Sequence, residues 1–467
     1  MSRTPMSRYL AATILALAVP FSASGQLVSE RVPPSGVIGI DDAMLSPGYW
    51  VARTPQADAV LMTPAELAKR SRRTLASDGD LVDLSKIGPT VARADILKWL
   101  DGLASPFGSA PLDATGTPLD APTLDAMKAN RDLDRIPASQ PARFGMAVTR
   151  ALLRVYPSDV AAFPAKDALD FDYYAAGVLF PGDAVLVLQA SHDGKWLLIQ
   201  SWQGPGWVRA ADIAQGSRDA VLGYAGRTPY RVVTGDKVLT VSTPEAPAVS
   251  EYQLDMGARV PIERLRADQP VNGGGPYASW TVSLPTRTAD GGLQFRPALI
   301  QRVRDTAPDY LPLTRANIIR QAFKFLGERY GWGHTLNARD CSGFTSDVYR
   351  SFGILMPPNS GAQGASPGFR HQLFNARDSH AERLKAAMAA DVGDLLVVPG
   401  HVMMILGKVN GQPYVIQDVP YVIFRTRAGL QKTRVAGVSV TPLLPLLYTD
   451  TQSYVDAMTS LVHVTAR

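Results

Sequence analysis

Residues 339–349 read RDCSGFTSDVY, and Cys341 within them is the only cysteine in 467 residues. Behind it Phe344, Val348 and Phe352 recur at i, i+4 and i+8, the spacing of one helix face. Cys341 stands ahead of that stripe, at the start of the helix. Unpaired backbone N–H groups and the helix dipole gather there and favour a thiolate. The same N–H groups can face a developing oxyanion. A cysteine that only fills the core belongs inside the stripe, although composition alone leaves that reading open.

A nucleophilic thiol needs a base, and the chain has six histidines. His192 falls in a hairpin turn, His371 and His380 in a polar stretch without a strand signal, and His463 near the chain end. His334 lies seven residues before the cysteine in a glycine-rich loop, where it either lines the site or faces solvent. His401 differs, because it opens the apolar strand HVMMILG after VVPG. A third group from the next strand would orient its ring. Gln417 and Asp418 both qualify. A strict two-residue turn at Asn410-Gly411 pairs Met404 with Gln417 and puts Asp418 on the face of His401; an odd-length loop puts Gln417 there.

Around this unit the chain divides by pattern. Residues 1–25 carry Arg3 and Arg8, the apolar run YLAATILALAVPF and small residues at Ala23 and Gly25, the layout of a cleavable export signal. Their removal takes the net charge from +5 to +3, a mild balance that argues against nucleic acid as a partner. With no later apolar run near about 20 residues, membrane insertion after cleavage is not expected, so the location is periplasmic or secreted. Residues 26–135 form a mostly helical region, with a capping box at Thr63–Glu66 and a second helix around Ile96, Leu97 and Leu100. Residues 136–222 and 223–312 read as two small β-barrels of short alternating strands. Residues 313–467 read as helices followed by an antiparallel sheet, with Pro357–Gly368 as a loop, so the chain is α+β and multidomain.

Taken together, Tyr330, Trp332 and DCSGF at 340–344, followed by GDLLVVPGHVMMILG at 393–407 and YVIQ at 414–417, resemble the catalytic domain of the NlpC/p60 cell-wall peptidases. The resemblance covers residues 313–467 and implies a papain-like fold. The two preceding barrels resemble the paired bacterial SH3 domains of one branch, the γ-D-glutamyl-L-diamino acid endopeptidases. It implies Cys341 as nucleophile, His401 as base and Gln417 at a third position that is more often histidine in this branch. It also implies Tyr330 near the oxyanion, Asp340 and Ser342 holding the free amine of a stem-peptide L-alanine, and Trp332 against the peptide. The substrate is then a peptidoglycan stem peptide, with diaminopimelate or lysine as the diamino acid, or a murein fragment. The chain departs from the family at Pro358, where many relatives have an arginine able to grip a carboxylate, and at His334, where a second glycine is usual.

No H-E-x-x-H or nucleotide-binding fingerprint occurs, and one cysteine cannot build a zinc site, so neither metal nor cofactor is expected. A monomer is the default. Two other readings share these residues: a murein-binding protein with an inactive domain, and an amidase or acyltransferase using the same Cys-His chemistry.

Overall fold

A computed structural model describes residues 36–103, 111–266, 268–427 and 429–466. The candidate export signal lies outside them. Among the described residues no helix is long and apolar enough to cross a membrane.

The described amino-terminal residues pack into cores shared with the rest of the chain. Helix α1 (Pro64–Ser77) starts with the capping box formed by Thr63 and Glu66. It rests on the carboxyl-terminal unit, where Ser71 Oγ donates to the Gly353 carbonyl at 2.8 Å. Trp50, Met62 and Leu67 join the same core as Phe344 and Val402. Helix α2 (Arg93–Asp101) turns the other way and buries Ile96 against Phe144, Leu186 and Trp207 of the first barrel. Short apolar stripes of this kind are stable only where a neighbour removes them from water.

The first barrel is a seven-stranded sheet built from β1 (Arg143–Ala147), β2 (Ala151–Arg154), β3 (Ala175–Leu179), β4 (Ala184–Ala190), β5 (Trp196–Ser201), β6 (Gly204–Arg209) and β7 (Ile213–Gly216), in the order β3-β2-β6-β5-β4-β1-β7. Along β4, Val185 and Val187 point to the interior while Leu186 and Leu188 point to α2. Burial on both faces explains why that strand is apolar throughout. The next unit consists of small sheets and the hairpin β8 (Ser279–Arg287) and β9 (Leu293–Gln301), packed around Val233, Leu254, Val282 and Ile300.

The carboxyl-terminal unit begins with α3 (Arg315–Phe323), capped by Thr314, and α4 (Cys341–Arg350). The stretch read as a loop contains a further helix, α5 (Ser360–Ala365), capped by Asn359. Strand β10 (Arg370–Leu373) includes His371, which had no strand signal in the sequence, and α6 (His380–Ala389) follows. The sheet continues with β11 (Leu395–Val398), β12 (His401–Val409), β13 (Gln412–Thr426), β14 (Gly429–Pro442) and β15 (Ser460–His463), in the antiparallel order β10-β15-β11-β12-β13-β14. Phe344 and Val348 of α4 cover one face with Val402, Met404 and Ile416; Ala386 and Ala387 of α6 cover the other with Met403 and Val415.

One irregularity in this sheet decides the site. Asn410 and Gly411 do form a two-residue turn, closing Val409 against Gln412, yet Met404 pairs with Ile416. The register shifts between Ile405 and Gly407, leaving Leu406 as the extra residue of a bulge. Gly407 makes it possible, with φ 155° and its Cα so near Trp50 that a Cβ would lie 3.2 Å from the indole. The shift brings Gln417 to the face of His401 and sends Asp418 to the other.

Candidate active site

Asp340 terminates the turn before α4 and holds it open. Its Oδ1 accepts from Gly343 N and Ser342 Oγ, both at 2.8 Å, and its Oδ2 accepts from Gly333 N at 3.1 Å. The cap fixes Cys341 as the first helical residue. Backbone N–H groups of Val402 and Ser342 lie within hydrogen-bonding reach of the sulfur and favour its thiolate. Val402 follows His401 directly, so the helix start meets the sheet where the histidine enters it.

His401 Nε2–H donates to Gln417 Oε1 at 2.7 Å, while Gln417 Nε2 donates to Thr441 Oγ1 at 2.8 Å. The threonine fixes the amide, the amide fixes the tautomer, and Nδ1 is left as the ring nitrogen able to take a proton. Burial lowers the imidazole pKa to about 4, against opposing contributions from Gln417 and Asp340, so the ring is neutral at pH 7.

Cys341 departs from expectation. It is only 6 % exposed. Burial foremost, then the neighbouring Asp340, pushes its thiol above the usual range despite the two backbone donors. In the free protein burial therefore favours the neutral thiol, and the ring of His401, whose chain neighbour Val402 reaches the sulfur through its N–H, is neutral as well. A neutral thiol and a neutral imidazole can generate a nucleophile by general-base transfer.

Tyr330 is buried. Its hydroxyl is held far above its usual pKa, by burial first and then by the charges of Cys341 and Asp340, and remains a donor. Trp332 is half-buried: its backbone N–H donates to the Asp170 carbonyl at 2.9 Å, and its ring meets Phe171 at 5.9 Å and Tyr173 at 6.3 Å. Asp418 is buried on the sheet face opposite His401 with neither carboxyl oxygen hydrogen-bonded, and burial foremost pushes its pKa up. His334 is buried at φ 67° against Gly343, and burial lowers its pKa to about 4. Of the remaining histidines, His380 pairs with Asp456 and His463 with Asp394.

The cleft above Cys341 holds about 370 Å³. Tyr330, Trp332, Asp340, Ser342, Pro358 and Asn359 wall it from one side, while Val155, Ala175, Gly177, Gln203 and Pro205 of the first barrel wall it from the other. The barrel residues have no motif of their own. Their one sequence signal is the aromatic and acidic run DFDYY at 170–174, which interrupts an otherwise alternating β pattern.

A thiol at a helix start and an imidazole oriented from a sheet define the architecture of a cysteine hydrolase. Residues 327–417 match the model of the NlpC/P60 family, and residues 161–209 match that of an SH3 domain of the SH3b1 type. The chain thus carries an NlpC/P60 domain behind an SH3b domain. Two curated relatives are named probable endopeptidase p60. That of Listeria seeligeri is 52 % identical over 50 residues, 10 % of each chain, and that of Listeria welshimeri is 50 % identical over 98 residues, 21 % of this chain and 18 % of its own. The chain therefore spans under a fifth of the length of these relatives. The solved structure of an NlpC/P60 endopeptidase from Photobacterium damselae subsp. piscicida superimposes with a TM-score of 0.69 at 16 % identity, covering 88 % of this chain and 95 % of that one. The architecture is shared almost end to end.

In this arrangement the Gln417 amide holds the His401 ring through one hydrogen bond. Gln417→Ala is expected to lower kcat by about ten- to a hundredfold with KM little changed, less than the loss of a whole general base. Gln417→Glu is expected to move the acidic limb of the pH–rate profile upward, because a carboxylate stabilises the imidazolium. An unmoved limb would assign the residue to packing alone.

Proposed function

We propose that the protein is an exported cysteine endopeptidase that hydrolyses the bond between γ-D-glutamate and the diamino acid of peptidoglycan stem peptides carrying a free L-alanine amine. The observation that carries this reading is the adjacency of Asp340 and Cys341 on one wall of a small cleft closed by the barrel. A substrate ammonium held by the Asp340 carboxylate places the carbonyl one residue further along at the sulfur. Sγ attacks the γ-carbonyl as its proton passes to His401 Nδ1. Tyr330 and the N–H groups at the start of α4 receive the oxyanion. The imidazolium protonates the leaving amine of the diamino acid, and water then releases the acyl group and restores the thiol. A cleft walled by the barrel favours short peptides over intact polymer.

Incubation with L-Ala-γ-D-Glu-diaminopimelate is expected to release free diaminopimelate. Acetylating the L-alanine removes the ammonium and is expected to cut kcat/KM by at least about tenfold, the scale of one lost charge-assisted contact. Equal turnover of both peptides would remove Asp340 from its role, and the absence of free diaminopimelate would defeat the reading itself.

A further inference from the structure

The reading above leaves one substrate group without a partner. The D-glutamyl residue bridges the amine subsite at Asp340 and the sulfur of Cys341, so its α-carboxyl group must lie within the same cleft. Among the described residues lining that cleft there is no lysine or arginine. The cations behind it are engaged elsewhere. Arg150 donates to the His334 and Ala338 carbonyls and faces Asp255, and Arg329 and Arg434 both hold Asp170. His334, the one titratable base of the lining, is neutral at pH 7 because burial lowers its pKa.

The groups that remain are neutral or negative. Asp340 contributes a carboxylate. Gln203, from the barrel wall, donates one Nε2 hydrogen to the Val178 carbonyl and keeps its oxygen, an acceptor, and a second N–H. Asn359 commits Oδ1 to Ala362 N at 2.9 Å and has Nδ2 left, a donor. Neutral donors and acceptors lining one cleft suit a primary amide, which carries both. An ionised carboxyl would meet the Gln203 oxygen and the Asp340 charge in a partly desolvated space with no cation to offset them.

We propose that the cleft selects stem peptides whose D-glutamyl α-carboxyl group is capped as a carboxamide, so that the residue cleaved is a γ-linked D-isoglutamine. The selection rests on the peptidase reading and sharpens it. Pro358 marks where it can be altered, since it lines the cleft. A cation introduced there would stand beside the amine subsite.

The test uses two tripeptides, L-Ala-γ-D-Glu-diaminopimelate and its α-carboxamide, with the full chain at pH 7 and free diaminopimelate as the readout. The carboxamide is expected to have a kcat/KM at least about tenfold higher, as befits discrimination by buried polar groups. Pro358→Arg is expected to erase or reverse that ratio. Calorimetric titration of the Cys341→Ala protein with both peptides supplies the same comparison should the arginine variant not fold, with tighter binding of the carboxamide expected. Equal rates and equal binding, or preference for the carboxylate, would overturn the selection while leaving the peptidase reading in place. Cleavage of neither peptide would overturn the peptidase reading and the selection together.

Discussion

Replacing Cys341 with alanine is expected to lower kcat/KM for the tripeptide by at least about 10⁴, the scale on which removal of a covalent nucleophile is felt. No second thiol exists to substitute for it. The fold should survive, since Cys341 takes its place from the Asp340 cap and from the stripe behind it, not from its own sulfur. Far-ultraviolet circular dichroism should be unchanged, and more than about 1 % residual activity would refute the assignment. The wild-type pH profile tests the same pair. His401 has a lowered pKa of about 4, so it is a competent base above that value, and the rate should rise as pH climbs through it and hold through neutrality. The thiol is shifted upward, so iodoacetamide should label Cys341 slowly at pH 7 and faster as pH increases. Rapid labelling below pH 6 would show a standing thiolate and contradict the neutral pair.

Arg339→Met is expected to destabilise the protein by about 3–5 kcal/mol, the range for breaking a buried ion pair from one side. The guanidinium is wholly buried immediately before the cap of α4. It donates to Asp347 at 2.6 Å, to Glu328 at 2.7 Å and, across the boundary with the second β unit, to Asp255 at 2.9 Å. Arg150 of the first barrel approaches the same Asp255 at 3.6 Å. Methionine fills much of the volume and leaves the buried Asp255 and Asp347 and the half-buried Glu328 without their shared cation. Denaturant unfolding measures the loss; a change under about 1 kcal/mol would mean that other groups or water compensate the carboxylates.

The helix start at Cys341, the strand at His401 and the cap at Thr63 were legible because their signals are local: a capping residue, a 3.6-residue stripe, a turn pair. The choice between Gln417 and Asp418 was not. It turns on a bulge at Leu406 that depends on Trp50 packing against Gly407, and those two residues lie far apart in sequence. The upward push on the Cys341 thiol is not legible in the sequence for a similar reason. Position on a helix argues for a thiolate, but the enclosing walls come partly from residues 155–205 and withdraw the solvent that a charge needs. Helix α5 escaped notice because SGAQGA is too short and glycine-rich to show a stripe. The amino-terminal helices are legible from their caps and stripes, whereas the surfaces that bury them belong to other parts of the chain.

Asp170 sits on the first barrel, yet Arg329 and Arg434 of the carboxyl-terminal unit both clasp it, and Phe171 beside it lies 5.2 Å from the ring of Tyr330. A truncated chain beginning near residue 313 would keep sulfur, imidazole and amide but lose the wall that gives the pocket its size. Such a fragment would be a different instrument with the same blade. Transplanting the barrel between relatives should therefore redirect which peptides are cut, leaving the cutting chemistry behind it untouched.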